Sequence, residues 1–386
     1  MRLLIAGGGT GGHIYPALAV ASSLRRRPDA PDLDWVGGRR GLEGQLVVAS
    51  GIRLRLLVLR SLRSVARDIH LVLDPIRLAL SVPQAVWWLL RQRPAAVFTT
   101  GGYVAIPVLI AARLLGIPSL LWEGNVIPGK SVRASARLAS ALAVSFRATC
   151  GALPASRHCY VTGTPIRDVS AVDRLAAREA LGLAPDARLV VIFGGSQAVR
   201  RFNDAVAAAL PRLVMRAVVV HVTGPEGFER AEAARATLSS AMRPHYRPEA
   251  FLGERLLEAL AAADMVVGRA GSSTLAEVAA FGLPFVVVPY PHAGDHQRAN
   301  AAALVDAGAA QLVADEAFDA DALVDAVALL DDPARHAAMA AAARSQARPG
   351  AADAMAEILL ALAERRALPS DDDVTRLAAR APGAAA

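Results

Sequence analysis

Arg2-Leu3-Leu4-Ile5-Ala6-Gly7-Gly8-Gly9-Thr10-Gly11-Gly12-His13 opens the chain, and its reading decides the fold. Residues with the character of a buried strand run straight into five glycines spread around one threonine, and a helical pattern follows from about Pro16. Glycine at the carboxyl end of a strand lets the backbone approach a ligand, and the helix behind it offers unpaired N–H groups to an anion. Three later turns repeat the arrangement: Thr100-Gly101-Gly102-Tyr103, Phe193-Gly194-Gly195-Ser196-Gln197 and Gly268-Arg269-Ala270-Gly271-Ser272-Ser273-Thr274. Two fall in each half of the chain. The pattern predicts an α/β protein of two Rossmann-like, doubly wound domains facing a central cleft that holds a phosphate-bearing ligand.

Working outward, 386 residues are enough for two separate cores. Strand-like runs at 2–6, 33–36, 54–59, 96–99, 119–122 and 141–145 alternate with helical stretches in the first half. The second half restarts with strands at 189–193, 217–223, 265–268 and 285–289, then Ala-rich helices from 321 to 366. Glycine and proline cluster at Thr162-Gly163-Thr164-Pro165, which puts the domains at 1–163 and 164–345. Residues 367–386, rich in Asp, Ala and Pro, are expected to be a disordered tail.

The formal charge of +7 is carried almost wholly by arginine, since Lys130 is the only lysine. Without an aromatic-rich basic module this is a solvated basic surface, and nucleic acid is not expected as a partner. Cys150 and Cys159 suggest neither a metal site nor a disulfide framework, so a reducing cytosol is expected. The first residues read directly as a strand, so no signal peptide is expected. Ala95 to Trp122 contain a single charge, Arg113, yet Gly101-Gly102, Pro107 and Gly116-Ile117-Pro118 punctuate them as a buried βαβ unit rather than a bilayer span. Residues 60–93 mix Leu71, Ile76, Leu80, Trp87, Trp88 and Leu90 with Arg60, Arg63, Arg67, Arg77, Arg91 and Arg93, interrupted by Pro75 and Pro83. Part of this is helix core. The rest predicts docking on an anionic membrane surface without crossing it.

Gly7-x-Gly9-x-x-Gly12 satisfies the dinucleotide fingerprint, but the second strand ends in Gly37-Gly38 and Asp34 lies too early to hold a ribose. An oxidoreductase is therefore disfavoured. His13 is either a cap residue or a general base. Gly124-Asn125-Val126-Ile127-Pro128-Gly129-Lys130-Ser131 fits the P-loop pattern, which makes a nucleotide hydrolase the rival from another class. That rival lacks an acidic strand end for magnesium, because later strands end in Phe193-Gly194, Thr223-Gly224, Gly268-Arg269 and Pro289-Tyr290. Gly194-Gly195-Ser196-Gln197 reads equally as a diphosphate grip or a capped helix start. Glu277 either completes a capping box with Ser273 or Thr274 or accepts hydrogen bonds from a ribose diol. His296, Gln297 and Asn300 line a helix start, as sugar contacts or as plain surface polarity.

In combination and order, Gly8-Gly9-Thr10-Gly11-Gly12-His13-Ile14-Tyr15-Pro16, Gly101-Gly102-Tyr103-Val104, Gly194-Gly195-Ser196-Gln197 and the Gly271-to-Glu277 stretch resemble the MurG family of peptidoglycan glycosyltransferases. The resemblance covers about residues 2–365. It implies a GT-B fold whose C-terminal helix, about 352–366, packs back on the first domain. It implies transfer of N-acetylglucosamine from UDP-GlcNAc to the C4 hydroxyl of the MurNAc of lipid I (undecaprenyl-pyrophosphoryl-MurNAc-pentapeptide), with inversion, giving lipid II at the cytoplasmic face of the cell membrane. Donor contacts implied by similarity are Thr10, Gly11, Gly12, Asn125, Arg167, Ser196, Leu252, Ser272, Ser273, Thr274, Leu275, Ala276, Glu277 and Gln297. Among them Glu277 takes the ribose, the Leu252 backbone the uracil and Ser196 a phosphate. The P-loop match falls on the family's His-Glu-Gln-Asn-x-x-Pro-Gly stretch, written here with Trp122 and Gly124 in place of His and Gln, and it leaves Glu123 and Asn125 in register. Glu123 joins His13 as a catalytic candidate, His13 as the base. Asp32-x-Asp34 and Asp319-x-Asp321 have metal-bridging spacing but stand before a strand and at a helix start, so neither a metal nor a cofactor is expected. The nearest rival within the fold is a glycolipid transferase with another acceptor.

Overall fold

The computed structural model describes residues 1–39, 41–59, 70–154, 157–194, 200–291 and 295–382, with 70–73 described in backbone only. Two compact units divide the chain: Met1–Asp168 with Arg348–Ala386, and Val169–Ala347.

In the first unit β1 (Arg2–Ala6) sends Leu3 and Ile5 to one core and Leu4 and Ala6 to another, the period-two habit of a strand buried on both faces. It is followed by α1 (Gly11–Arg25), β2 (Asp32–Gly37), α2 (Glu43–Ala49) and β3 (Arg53–Leu56). Next, α3 (His70–Gln92) runs unbroken through Pro75 and Pro83, which the sequence suggests as interruptions. After it come β4 (Ala96–Thr99), α4 (Gly102–Leu114), β5 (Ser119–Glu123) and α5 (Lys130–Ser135). The first part of the unit closes with β6 (Ala141–Val144), α6 (Arg147–Gly151) and β7 (His158–Val161). Among the described residues these strands make a parallel seven-stranded sheet in the order β3-β2-β1-β4-β5-β6-β7.

The second unit starts with α7 (Arg174–Ala180) and β8 (Leu189–Phe193), a continuous apolar run. It continues with α8 (Arg200–Leu213), β9 (Val218–Val222), α9 (Pro225–Ala236), β10 (Tyr246–Glu249) and α10 (Arg255–Ala262). Then come β11 (Met265–Gly268), α11 (Ser272–Ala280), β12 (Phe285–Val287), α12 (His296–Asp306), β13 (Ala310–Leu312), α13 (Ala320–Val327) and α14 (Pro333–Gln346). Its sheet is parallel, in the order β10-β9-β8-β11-β12-β13. In both sheets the order reverses beside the first strand, at β1/β4 and at β8/β11. Open α/β sheets bind ligands outside the carboxyl ends of the strands at such a switch point. The four glycine turns stand at those ends.

The chain then returns to the first unit. α15 (Ala351–Glu364) buries Met355, Ile358 and Leu359 in the same core as Ile14 and Leu24 of α1. The tail expected to be disordered instead forms α16 (Asp371–Ala379), with Val374 and Ala378 buried. The run Asp371-Asp372-Asp373 is its first turn, where carboxylates suit the helix dipole, and Ser370 caps it by accepting the Asp373 N–H at 3.2 Å. Tyr160 of β7 donates to the Pro369 carbonyl at 2.9 Å, and His158 meets Asp371 at 2.8 Å. A second correction concerns the cysteines. Cys150 and Cys159 form a disulfide, because the short turn from α6 back to β7 brings their Cα atoms to 5.9 Å.

Beneath the second sheet His221 of β9 is buried against the Tyr246 hydroxyl, 2.8 Å from its Nδ1, and burial pushes its pKa down to about 3. An unfolded histidine titrates near 6.5, so the unfolded chain binds the extra proton as pH falls from about 6.5 towards 3. The stability due to the neutral ring is complete above that window and shrinks by about 1.4 kcal/mol per pH unit within it. Acid melts are expected to show the second unit losing stability over this range, and a His221→Leu, Tyr246→Phe double variant to flatten that slope. An unchanged slope in the double variant would remove His221 as the cause.

Candidate active site

At the end of β1 the chain turns through Gly7 to Thr10, whose extended backbone (φ −123°, ψ 162°) starts α1 and whose carbonyl accepts the His13 and Ile14 N–H groups at 3.0 and 3.2 Å. His13 is clamped from β4's side of the switch point. Its Nδ1 lies 2.8 Å from the Thr100 carbonyl, while Thr100 Oγ1 donates to the His13 carbonyl at 2.9 Å. A carbonyl oxygen can only accept, so Nδ1 carries the hydrogen and Nε2 carries the lone pair of the neutral ring. Gly102, at φ +73°, passes so near that a Cβ there would sit 3.8 Å from Nε2. The Arg167 guanidinium lies 5.6 Å above the ring of Tyr15, one turn's start from Thr10, Gly11 and Gly12.

Two carboxylates organise the neighbouring loops. Glu43, fully buried in the first turn of α2, accepts the Gly9 N–H at 2.9 Å and the Gly38 N–H at 3.1 Å through Oε1. The sequence reading missed it; an acid opening the helix just behind Gly37-Gly38 and Gly41 was the available signal. Glu123 ends β5. Its Oε1 accepts Asn125 N and Nδ2 at 2.9 and 2.8 Å, and its Oε2 accepts Gly129 N at 2.8 Å. Thr149 Oγ1 then donates to the Asn125 carbonyl at 2.9 Å. The P-loop-like stretch thus closes on its own carboxylate, with the amides of Asn125 and Gly129 engaged there. Glu123 anchors that loop, and the catalytic role that the sequence suggests for it is not carried further.

The second unit treats its turns differently. Of the turn after β8, Gly194 is buried, and Ser196 lies outside the described residues. After β11 the cap position of α11 falls on Gly271, with no side-chain cap, so Glu277 forms no capping box with Ser273 or Thr274. Ser272, Ser273, Thr274 and Ala276 are half-buried, and Leu275 and Glu277 are buried. The Ser273 hydroxyl oxygen is buried without a hydrogen bond among the described residues. Leu252 is buried in the loop after β10, beside the exposed Phe251. Gln297, in the first turn of α12, accepts the Tyr290 N–H at 2.9 Å, and buried Asn300 reaches the Ala270 carbonyl at 3.4 Å. Arg269, also missed from sequence, braces this turn. Its Nη1 donates to the Val288 and Pro289 carbonyls at 3.1 and 3.3 Å and pairs with Asp315 at 2.5 Å, while the guanidinium stacks on Phe202 and Tyr290.

Three of the four aspartates with metal-bridging spacing have structural partners. Asp34 pairs with Arg2 and Arg53 at 3.4 and 3.5 Å. Asp319 caps α13, and Asp321 pairs with Arg212 at 2.7 Å. On the surface of the first unit, Ile76, Leu80, Trp87 and Leu90 are exposed at helical spacing along one face of α3. Arg91 stacks on Trp87, and Arg55 on Trp88. Residues 60–69 of the expected membrane patch lie outside the described residues. No described helix is long and apolar enough to cross a membrane.

Comparison with known proteins points one way. Residues 3–144 match the glycosyltransferase family 28 N-terminal domain, and residues 189–358 match the family's C-terminal domain. The chain is 38% identical over 369 residues to the UDP-N-acetylglucosamine–N-acetylmuramyl-(pentapeptide) pyrophosphoryl-undecaprenol N-acetylglucosamine transferase of Desulforudis audaxviator, covering 94% of this chain and 99% of that one. It is 38% identical over 373 residues to the protein of the same name from Moorella thermoacetica, covering 94% and 100%. Its fold is similar to the crystal structure of Acinetobacter baumannii MurG, with a TM-score of 0.73 and 29% identity over 93% of this chain and 99% of that one.

The Glu123 anchor is testable without reference to any relative. Glu123→Ala leaves three N–H donors without their acceptor, a local cost of about 1–3 kcal/mol for each one that stays buried. Amide exchange at Asn125 and Gly129 is expected to quicken at least tenfold in Glu123→Ala and less in Glu123→Gln. Equal protection in wild type and Glu123→Ala would show that the carboxylate does not hold the loop.

Proposed function

The chain belongs to the MurG family within glycosyltransferase family 28, and on that premise we propose that it transfers N-acetylglucosamine from UDP-GlcNAc to the C4 hydroxyl of the MurNAc of lipid I, giving lipid II. The observation that carries the donor half is the start of α11, a helix N-terminus that among the described residues has no side-chain cap and a buried Ser273 hydroxyl without a hydrogen bond, with a buried carboxylate at Glu277. Such a terminus favours a diphosphate, and a carboxylate in the same helix suits a ribose diol. Leu252, Thr274, Gln297 and Ser196 take donor contacts in the same reading, as do Thr10, Gly11, Gly12, Asn125 and Arg167 from the first unit.

The chemistry is a single displacement. The acceptor O4 forms the new bond to the anomeric carbon as the bond to the diphosphate oxygen breaks, which inverts that centre. UDP leaves with the electron pair. Negative charge grows on the diphosphate, and the α11 terminus with the Ser273 hydroxyl stabilises it through fixed dipoles. The O4 proton passes to Nε2 of His13, the nitrogen that the Thr100 contact leaves with a lone pair.

An assay crossing several sugar nucleotides with several glycolipid acceptors, with linkage determined, is expected to single out UDP-GlcNAc and a lipid I analogue, with turnover retained in EDTA. His13→Ala should lower kcat by about 10²–10⁴ while UDP-GlcNAc still protects the protein in thermal melts. Near-normal turnover of His13→Ala at saturating substrates would dismiss it as the base. Protection by ATP–magnesium instead of UDP-GlcNAc would favour the nucleotide hydrolase.

The exposed apolar face of α3, flanked by Arg55 and Arg91, supports docking at the anionic surface of the cell membrane, on its cytoplasmic face, where a lipid-linked acceptor is within reach. Each large apolar side chain buried in lipid contributes about 1.5–3 kcal/mol. A Leu80→Glu, Trp87→Glu double variant is therefore expected to lose at least tenfold in binding to anionic vesicles. Undiminished cosedimentation would place the contact elsewhere.

A further inference from the structure

We propose that Glu43 is a positioning residue of this transferase: a built-in anion that locks the loops after β1, β2 and β4 together and so holds the turn that presents His13. The proposal rests on the functional reading above and goes beyond it, to a residue that touches neither substrate in that reading. Three observations converge on it. Glu43 is fully buried, and its Oε1 takes the N–H groups of Gly9, after β1, and Gly38, after β2. Those strands are adjacent in the sheet, with β4 on the other side of β1. The first turn of α4, behind β4, brings in Tyr103, whose hydroxyl packs against Gly38 and whose phenol is held above its ordinary pKa by burial and then by the charge of Glu43.

The surrounding glycines show how tightly this is built. A Cβ added at Gly8 would lie 2.0 Å from Glu43 Oε1, and all three of its nearest neighbours would be Glu43 atoms. One at Gly41 would lie 2.0 Å from Oε2, and one at Gly38 would lie 2.2 Å from the Tyr103 hydroxyl. In a dinucleotide-binding turn the bare backbone makes room for a phosphate. Here the room belongs to the protein's own carboxylate, and the Gly9 amide is already engaged. The Gly9 amide is then closed to a donor phosphate, which leaves Thr10, Gly11 and Gly12 for donor contacts, and the rigidity of the joint passes directly into the first turn of α1. Thr100 fixes His13 from one side; Glu43 fixes the backbone that carries it.

The test uses the full chain with UDP-GlcNAc and a water-soluble lipid I analogue. Glu43→Gln keeps an oxygen for both N–H groups and is expected to stay within about threefold of wild-type kcat. Glu43→Met keeps the bulk without an acceptor and is expected to lower kcat at least thirtyfold, with the UDP-GlcNAc dissociation constant, measured by calorimetry, within twofold. Gly8→Ala should be severe alone but cost little more in a Glu43→Ala background, because the atoms it strikes are gone. Equal losses in Glu43→Gln and Glu43→Met, a matching loss of donor affinity, or multiplicative effects of Gly8→Ala and Glu43→Ala would each overturn the proposal. A wild type without transfer activity would instead refute the functional reading. Amide exchange at Gly9 and Gly38 then decides the locking role: faster exchange in Glu43→Met than in Glu43→Gln supports it, and equal exchange overturns it.

Discussion

Amide groups at the carboxyl ends of parallel strands need an acceptor, and who supplies it separates the two units of this molecule. Both units are doubly wound, with a glycine turn on each side of the strand-order reversal. The strand order therefore makes the same invitation to an anion twice. In the first unit Glu43 and Glu123 answer it from within, each accepting N–H groups through oxygens that are 2.8 to 3.1 Å away. At the start of α11 in the second unit no described side chain caps the helix, and a serine hydroxyl is buried there without a hydrogen bond among the described residues. On the proposed reading, one fold becomes a rigid support for the base in one copy and a receptor for the leaving group in the other. Two carboxylates make the difference.

The proposed base, His13, depends on strand register. Pairing Ala6 with Thr99 sets the turn after β1 against Thr100, and the reciprocal hydrogen bonds between Thr100 and His13 follow from that alignment. A slip by one residue would turn every side chain of β1 to the opposite face, so the cores that hold Leu3 and Ile5 apart from Leu4 and Ala6 also hold the imidazole's tautomer. Packing energy is thereby converted into chemical readiness. On the other side of the switch point, Arg269 does a comparable job by tying the turn after β11 to the end of β12. Its charge is compensated by Asp315 and its faces by two aromatic rings, which lets a buried guanidinium persist.

Most of this architecture was legible because central strands of a parallel sheet are continuous apolar runs, as in Leu189–Phe193 and Ala96–Thr99. The strands that escaped notice are β7, β10 and β13, written HCYV, YRPE and AQL. All three are sheet edges, short and partly polar, and β10 even tolerates Pro248 because an edge strand can dispense with one donor. α16 was hidden by composition, since an aspartate run looks like solvated tail until it is seen as the first turn of a helix with two buried residues. The disulfide was missed because two cysteines suggest no framework until a turn folds one strand back beside them. His13 and the α11 terminus could be picked out from type and spacing. Glu43 could not be tied to Gly9, because 34 positions separate them and only the sheet order closes the gap.

The two motif matches in the first unit carry a more general point. Gly7-x-Gly9-x-x-Gly12 and the P-loop-like Gly124-to-Ser131 stretch both describe bare backbone that can surround an anion, and neither says whose anion it is. What discriminates is an acid positioned to reach the glycines: Glu43 comes to Gly9 from α2, behind the neighbouring strand β2, and Glu123 closes the strand before the other stretch. The strands flanking the switch point of the second unit, β8 and β11, end in Phe193 and Gly268, without such an acid. The amides that such a carboxylate engages form a structural joint, because a phosphate arriving at them would have to displace a buried charge that is already hydrogen-bonded. A glycine turn without one keeps its amides and its helix dipole for a ligand. By that criterion the same glycine pattern marks a rigid joint beneath the proposed base in one unit and the proposed seat of a diphosphate in the other, and the acid beside it is the residue that tells them apart.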